Sequence, residues 1–273
     1  MIRYLIESFK RKIARRITKK YPITIDTFEI ENVGKVKFAN WENPLVNKKI
    51  LTKETVGFFK QFLSEGDLAI DIGANIGQMT LQMALNTGSK GLTLGFDPNP
   101  YVYEILVENV KLNPDKTNIA AYNLAITEQD EDDLYYHSSE ASFNNGGIST
   151  TPNSKHGKFS LNTKVKGVNL ASFLEKEHPN FVNKLKLVKI DTEGYDKEII
   201  KSIINLLKKY KPVVITECFS KNTPEERFEQ YELLKSIGYS LYYVADFSSD
   251  AEVVPINTKE DMLKWKHFDL FAK

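Results

Sequence analysis

Short apolar runs recur along the middle and end of the chain, and each is followed by a segment with helical periodicity. The runs Leu68–Ile72 and Leu92–Phe96 are short and mostly apolar, as in buried strands. The segments after them, Ile76–Leu85 and Tyr101–Leu112, carry apolar residues at helical spacing. This alternation predicts an α/β fold with a mostly parallel sheet.

The same alternation continues toward the carboxyl end. The remaining elements are five strands and three helices, predicted at Ile119–Ile126, Leu185–Ile190, Val213–Thr216, Tyr239–Val244 and Phe268–Phe271, and at Ala171–Glu177, Lys197–Lys208 and Pro224–Ile237. Together with the first two strands they predict a seven-stranded, Rossmann-like sheet with helices on both faces.

A polar segment separates the third and fourth strands and is too long for a simple crossover. Glu128–Asp133 has five acids in six positions and predicts a solvated turn. Ser138–Ser160 is rich in Ser, Asn, Gly and Thr, and a companion strand is predicted at Lys164–Val168. Because long polar segments in compact domains are often functional, we expect an insertion over about residues 128–170 that serves as a lid.

The amino-terminal segment has a different pattern. Six apolar residues recur at helical spacing with cations between them, namely Ile2, Leu5, Ile6, Phe9, Ile13 and Ile17. Pro22 ends this pattern, Ile23–Phe38 alternates around Val33-Gly34-Lys35 as in a hairpin, and Lys53–Leu63 predicts a helix. We therefore expect a basic helix and hairpin over residues 1–52 and a second domain over residues 53–273.

Charge is distributed unevenly along the chain. The 273 residues carry 37 Lys+Arg and 36 Asp+Glu, a formal net charge of +1. Residues 1–20 nevertheless hold eight cations and one acid, so the other 253 residues carry a net charge of −6. A basic amphipathic helix can lie on an anionic membrane surface, or it can dock its apolar stripe on the domain or on a partner subunit. Nucleic-acid binding is disfavoured, because the rest of the chain is acidic and no recognition motif accompanies the helix.

Composition narrows the class of protein further. The single cysteine, Cys218, excludes an internal disulfide framework and a cysteine-based zinc cluster. No apolar run approaches the roughly 20 residues of a membrane-spanning helix. Without a signal-peptide core or a glycosylation sequon, a cytoplasmic location is expected, with peripheral contact at the inner membrane face through residues 1–20.

The strongest chemical signal lies at Asp71-Ile72-Gly73-Ala74-Asn75-Ile76-Gly77, where a strand meets a helix. Glycines let the backbone approach a ligand, and a helix N-terminus supplies free N–H groups. The spacing differs from the Gly-x-Gly-x-x-Gly of dinucleotide folds, and no P-loop Lys-Ser/Thr follows. Asp97 ends the second strand, a position where an acid commonly receives ribose hydroxyls. Two such acids predict a nucleoside-type cofactor.

Asp71–Gly77 and Asp97-Pro98-Asn99-Pro100 resemble class I S-adenosylmethionine-dependent methyltransferases, and Lys189–Asp196 resembles the FkbM family among them. The resemblance covers about Lys53–Val244. It implies S-adenosylmethionine as the cofactor. The contacts it implies come from Glu54, Asp71, Gly73, Ala74, Asn75, Gly77, Thr80, Asp97, Pro98 and Asn99. Two positions depart from the family: Asp97 stands where relatives often have Glu, and Ala171 stands where many have an acid.

The resemblance also implies methyl transfer to a hydroxyl of a sugar, or of a glycoconjugate or natural-product precursor. Such a hydroxyl is weakly acidic, so a base or a metal should help to remove its proton. The candidate catalytic residues are Asp191, Glu193 and Glu217, which follow or end strands. Glu193 has an alternative role as an acid at the start of the following helix. Asp191 and Glu217 could hold a divalent ion, but any acidic site would show two such acids, and no metal ligand is assigned.

Other interpretations stay open at this point. An NAD-dependent oxidoreductase is disfavoured by the Gly-x-x-x-Gly spacing. A non-catalytic module that binds membranes or nucleic acid is suggested by the basic helix, whereas the intact acids of the site argue against it. His137 and His156 are candidate bases in or beside the polar segment, although loop histidines are more often merely solvated. His178 and His267 have no special context.

Overall fold

The computed structural model describes residues 2–152 and 157–273, and only the backbone of Ile2, Arg3 and Asp132. The candidate base His156 lies outside the described residues. The helices are α1 (Ile2–Ala14), α2 (Lys53–Lys60), α3 (Gln78–Thr87), α4 (Pro100–Lys111), α5 (Leu170–Glu177), α6 (Asp196–Ser202), α7 (Ile204–Tyr210) and α8 (Pro224–Ile237). The strands are β1 (Ile23–Ile30), β2 (Gly34–Trp41), β3 (Leu68–Ile72), β4 (Leu92–Phe96), β5 (Ile119–Tyr122), β6 (Ala125–Ile126), β7 (Glu131–Ser138), β8 (Gly147–Ser149), β9 (Phe159–Ser160), β10 (Val165–Val168), β11 (Leu185–Ile190), β12 (Val213–Cys218), β13 (Leu241–Val244), β14 (Val253–Ile256) and β15 (Phe268–Ala272).

The central sheet has the strand order β14-β13-β15-β12-β11-β3-β4-β5 within the described residues. The strands from β12 to β5 are parallel, and β15 runs antiparallel between β12 and β13. The predicted α/β class is confirmed, but the predicted count of seven strands is wrong by one. The additional strand is the edge strand β14, which contains Pro255 and an exposed Val253. The sequence pattern does not predict such a strand, because the run is half-exposed and contains a proline.

The switch point of the sheet lies between β3 and β11. The chain runs from β3 to β4 and β5 on one side and later returns to β11 on the other side. Every residue of β3 and β4 is buried, which explains why both strands are recognisable as short, mostly apolar runs. Asp71 of β3 lies in register with Lys189 of β11, so two charged side chains meet inside this buried layer.

The polar segment after β5 forms a second, smaller sheet with the order β6-β10-β7-β8, and β9 pairs with β7. The predicted strand Ile119–Ile126 is therefore divided between the two sheets. The predicted turn at Glu128–Asp133 is wrong in its second half, because β7 begins at Glu131. Leu134 and Tyr136 alternate along β7 and pack with Phe143 in a separate apolar cluster, which stabilises a strand that begins with acids.

The amino-terminal hairpin is confirmed, because β1 and β2 pair as antiparallel strands. Asn32 in the turn and Gly34 at the start of β2 both have a positive φ. Its buried face, with Val36 and Phe38, packs against α3 and α4. The predicted helix Lys197–Lys208 is divided into α6 and α7 at Ile203. No helix within the described part of the chain is long and apolar enough to cross a membrane.

Candidate active site

Asp71 is completely buried near the carboxyl end of β3. Its Oδ2 accepts a hydrogen bond of 2.6 Å from Thr80 Oγ1 on α3, and its Oδ1 lies 3.5 Å from Lys189 Nζ. Oδ1 has no hydrogen-bond partner. Burial raises the pKa of Asp71, and Lys189 and Thr80 oppose this effect. One oriented carboxylate oxygen, which is ion-paired with Lys189, therefore lacks a hydrogen bond at the switch point of the sheet, where ligands of such folds bind.

Hydrogen bonds within the protein close the turn that follows β3. Gly73 N and Ala74 N donate to Phe96 O at 2.9 and 3.0 Å, and Asn75 N donates to Asp97 Oδ2 at 2.8 Å. The next two N–H groups, of Ile76 and Gly77, are also bonded inside the turn. The free N–H groups expected here are thus already used from Gly73 to Gly77. Turns that bind phosphate leave such groups open, so this turn does not suit the pyrophosphate of a dinucleotide.

Asp97 directly follows β4, and both of its carboxylate oxygens are held in place. Oδ1 accepts from Asn99 N at 2.9 Å, and Oδ2 is bonded to Asn75 N. Burial raises the pKa of Asp97 to about 7, although the two backbone N–H groups favour its charged form. Asn99 caps α4, just before its first residue Pro100, and its Nδ2 donates to Phe143 O at 2.6 Å. Pro98 lies between Asp97 and Asn99, and the hydrogen bond of Asn99 attaches this motif to the loop between β7 and β8.

Lys189 joins the acids of two adjacent strands. Its buried Nζ lies 3.0 Å from Asp191 Oδ2 and 3.5 Å from Asp71 Oδ1. Burial alone would lower the pKa of Lys189, but the Asp191 and Asp71 carboxylates hold it above its ordinary value. Lys189 therefore stays charged and neutralises part of the acidic edge.

The acid at the start of α6 is Asp196, whereas the sequence suggested Glu193 for that position. Glu193 is exposed and has a left-handed φ of 52°, and α6 begins only at Asp196. The buried Asp196 carboxylate accepts hydrogen bonds from Thr192 N and Oγ1, and from Thr216 Oγ1 and Glu217 N. Asp196, to which the sequence pattern assigned no role, thus ties the end of β11 to the end of β12.

Glu217 and His267 form a pair at the same edge of the sheet. Glu217 Oε1 lies 3.0 Å from His267 Nε2, whereas Glu217 Oε2 is buried without a hydrogen-bond partner. Burial and, to a lesser extent, the nearby acids, above all Asp191, together raise the pKa of Glu217 to about 8. His267 was missed because only the antiparallel register of β15 against β12 brings it to Glu217. No local motif in the sequence shows that register.

The other histidines of the described chain have structural contacts. His137 is buried in β7, with Nδ1 at 2.9 Å from Ser160 Oγ and Nε2 at 3.3 Å from Ser149 Oγ. His178 Nε2 lies 2.8 Å from Tyr122 Oη. These contacts hold both rings in place, and neither ring is hydrogen-bonded to an acid of the candidate site.

Two further residues complete the surroundings of the site. Tyr136 of β7 is buried beside Asn99, and burial raises the pKa of its phenol well above 10. It was missed because it lies in the polar insertion. Glu54 is half-buried in the first turn of α2, where its carbonyl oxygen accepts a hydrogen bond from Ser249 N. Its carboxylate makes no hydrogen bond or ion pair with the other predicted site residues.

Carboxylates outnumber buried lysines along this edge. Five acids lie at or beside the ends of neighbouring strands, and one buried lysine is among them: Asp71, Asp97, Asp191, Glu217, Asp269 and Lys189. S-adenosylmethionine has a cationic amino group, a sulfonium centre and two ribose hydroxyls, so the Asp71 oxygen that makes no hydrogen bond and the surplus of acids fit it. Over residues 2–152 and 157–273, no group of three or more His, Cys, Asp or Glu side chains is placed to hold a metal.

Comparisons with known proteins show the family of the chain. Residues 71–241 match the family model of the methyltransferase FkbM domain. A curated relative, the hexuronic acid methyltransferase AglP of Haloferax volcanii, is 27% identical over 151 residues. These cover 55% of this chain and 56% of the relative, so the alignment spans about half of that protein's length.

Two solved structures show weaker similarity. The methyltransferase FkbM of Methylobacillus flagellatus has a TM-score of 0.48 and 13% identity, over 79% of this chain and 48% of the other. An S-adenosylmethionine-dependent O-methyltransferase of Thermotoga maritima has a TM-score of 0.43 and 14% identity, over 83% and 66%. The family therefore rests on the match of the family model, which covers more than half of the chain. The chain belongs to the FkbM family of methyltransferases, and its methyl donor is S-adenosylmethionine.

Proposed function

We propose that the chain transfers the methyl group of S-adenosylmethionine to a hydroxyl oxygen of a sugar or of a glycoconjugate precursor. One observation carries the proposal: Asp71, Asp97 and Asp191 lie at three neighbouring strand ends, beside a Glu217 carboxylate with one unpartnered oxygen. The similarity to a hexuronic acid methyltransferase supports a sugar as the acceptor.

We assign the cofactor to the ends of β3 and β4. When bound, S-adenosylmethionine supplies an electrophilic methyl carbon. Each oxygen of Asp97 accepts one backbone hydrogen bond and has a further lone pair, so this carboxylate can also receive the ribose hydroxyls. Asp71 Oδ1, which lacks a hydrogen-bond partner, and Asp191 suit the cationic amino group. The turn residues and Thr80 hold these acids in position, and Glu54 is proposed as a contact from the family resemblance alone.

We propose that Glu217, oriented by His267, accepts the proton of the acceptor hydroxyl. A sugar hydroxyl is a weak acid, so its proton must leave as its oxygen bonds to the methyl carbon, while the carbon–sulfur bonding electrons remain on sulfur. Glu217 Oε2 is free to take this proton, and Oε1 is oriented by His267 Nε2. The half-exposed ring of His267 then offers the proton a route to solvent. Asp191 is proposed to face the methyl donor, and Glu193 to position the acceptor beside this pair.

Oxidoreduction with NAD is the weaker proposal. A dinucleotide needs amides or cations for its pyrophosphate, but the N–H groups from Gly73 to Gly77 are bonded within the protein. The nearest buried cation, Lys189, is already shared by Asp71 and Asp191. A thermal-shift comparison should show stabilisation by S-adenosylhomocysteine and none by NAD.

A transfer assay tests the proposed reaction. The protein is incubated with methyl-labelled donor and a panel of uronic acids, neutral sugars and amino sugars, and the products are identified by mass spectrometry. We expect a methyl ether on a sugar oxygen, and its loss in Glu217→Gln. Label that reaches only nitrogen, or no transfer by protein that binds S-adenosylhomocysteine, would overturn the proposal.

The second partner that we propose is a membrane surface, which residues 1–20 would contact peripherally. The net charge of +7 in this segment supports the contact. This proposal concerns where the protein works, and it is independent of the reaction that the site performs.

A further inference from the structure

Three apolar side chains of α1 point into solvent. Leu5 and Phe9 are 60% and 64% exposed, and Ile6 is also largely exposed. Ile6, Phe9 and Ile13 follow one another at spacings of three and four residues, so they share one face of the helix. Ala14, by contrast, is completely buried. The helix therefore contacts the protein with a different face, and its apolar stripe does not dock on the body of the chain.

Cations flank this stripe. Lys10 and Lys12 are exposed and lie on opposite sides of the face that contains Phe9 and Ile13, as their positions on a helix of 3.6 residues per turn require. Lys10 also bonds to Glu7 at 2.8 Å, and Glu7 is the one acid among the first 20 residues. An apolar stripe between lysines is the arrangement of helices that lie in the headgroup region of a bilayer.

The end of α1 is attached beside the candidate active site. Arg15 O accepts a hydrogen bond of 3.2 Å from Ala141 N, and Arg15 Nε lies 3.7 Å from Glu140 Oε1. Two residues further along, Phe143 O accepts the hydrogen bond from Asn99 of the cofactor motif. The loop 140–143 thus connects the root of the helix to the site.

We propose that α1 lies in the headgroup region of an anionic membrane, with Leu5, Ile6 and Phe9 inserted and the flanking lysines on lipid phosphates, so that the active site is held close to the membrane. This inference rests on the peripheral contact proposed above, but not on the methyl-transfer reaction. A second copy of the chain is a poorer partner for the stripe, because pairing would bring two segments of net charge +7 together. Nucleic acid would leave the apolar side chains without a contact.

Vesicle co-sedimentation of the full chain tests the proposal. We expect binding to phosphatidylcholine vesicles with about one third phosphatidylglycerol, and much weaker binding to phosphatidylcholine alone. The double variant Leu5→Ser/Phe9→Ser should lower the partition coefficient at least about tenfold. Lys10→Gln/Lys12→Gln should lower it and reduce its dependence on salt. Ile25→Ser on β1 is the matched control, because Ile25 is 54% exposed and lies outside the helix.

Equal binding to both kinds of vesicle, or an unchanged partition of Leu5→Ser/Phe9→Ser, would overturn the proposal. So would a dimer in vesicle-free solution that this variant converts to a monomer, since the stripe would then belong to a second copy. S-adenosylhomocysteine binding, measured on the same samples, should be unchanged in every variant. Vesicle binding without methyl transfer would contradict the proposed function alone, and transfer without vesicle binding would contradict this inference alone.

Discussion

The carbonyl oxygen of Asp191 lies against Gly73, so closely that a Cβ atom on Gly73 would stand 1.9 Å from it. Gly73 has a φ of 80°, and Asp191 N donates to Ile72 O at 2.9 Å. The first and third motifs of the chain are therefore in backbone contact across β3 and β11. This glycine allows two strand ends to meet, a role additional to that of leaving space for a ligand.

Replacing Gly73 should be far more costly than replacing a glycine that has the same conformation in open space. Gly34 has a φ of 82°, and a Cβ atom added to it would meet no atom within 4 Å, so Gly34→Ala should lose only about 1–2 kcal/mol. Gly73→Ala adds a backbone collision, and we expect a loss of about 3 kcal/mol or more. Urea unfolding measures both, and equal losses would contradict the contact.

Lys189 should be more important for stability than a lysine in a surface ion pair. Lys189→Met leaves Asp71 buried beside Asp191 without a cation, which should cost about 3–5 kcal/mol in the free energy of unfolding. Lys20 pairs with Glu104 at 2.6 Å on the surface, and Lys20→Met should cost less than about 1 kcal/mol. Denaturant unfolding of the two variants gives the comparison. Similar losses would show that Lys189 does not hold the acidic edge together.

The stability of the ligand-free protein should fall as the pH rises from about 5 to about 8. Burial raises the pKa values of Asp97 to about 7, of Glu217 to about 8, and of Asp196 and Asp269 to about 6. In the unfolded chain these groups titrate near their ordinary values of about 4. The folded state therefore binds more protons over this interval, and stability declines with pH.

Urea unfolding at several pH values checks this dependence. The decline should be shallower in Asp97→Asn, since that variant removes one of the raised groups. A rise in the stability of the wild-type protein between about pH 5 and about pH 8 would contradict the raised pKa values.

His267 should affect the rate of transfer and not cofactor affinity. We expect His267→Gln to lower kcat about 10²-fold, because Glu217 loses its oriented partner, and to leave S-adenosylhomocysteine binding unchanged. Activity of the wild type should rise with pH, reach half of its maximum near pH 8 and level off about one pH unit higher, since Glu217 must be deprotonated to act and has a pKa of about 8. Asp191, Asp196, Asp269 and Glu193 all favour the protonated form of Glu217.

His178→Gln is the matched control for this variant, because His178 contacts Tyr122 and not Glu217. It should keep the wild-type rate. A pH profile of His267→Gln that matches the wild type in level and shape would remove the pair from the reaction.

The central strands and the acids at their ends are predictable from sequence for a physical reason. β3, β4 and β11 are mostly apolar and almost fully buried, so they are recognisable in the sequence. Asp71 lies one residue before the end of β3, and Asp97 and Asp191 directly follow β4 and β11. Parallel strands place their carboxyl ends at one edge, and the three acids therefore fall together. The family resemblance added the identity of the cofactor.

The residues that were missed depend on contacts between distant parts of the chain. His267 reaches Glu217 only through the register of β15, and Asp196 binds Thr216 on another strand. β7 begins with acids, and the cluster around Tyr136 that stabilises it includes residues of other elements, such as Val165 of β10. Local periodicity carries no information about such pairings.

The central claim is that the edge formed by Asp71 and Asp97 binds the methyl donor, and calorimetric titration with S-adenosylhomocysteine tests it most directly. The wild type should bind one molecule per chain, and Asp97→Asn should bind about tenfold to a hundredfold more weakly through the loss of charge-assisted hydrogen bonds. Asp115→Asn, a change at an exposed acid away from the site, should bind as the wild type does. No binding by folded wild-type protein, or equal affinity in Asp97→Asn, would contradict the account.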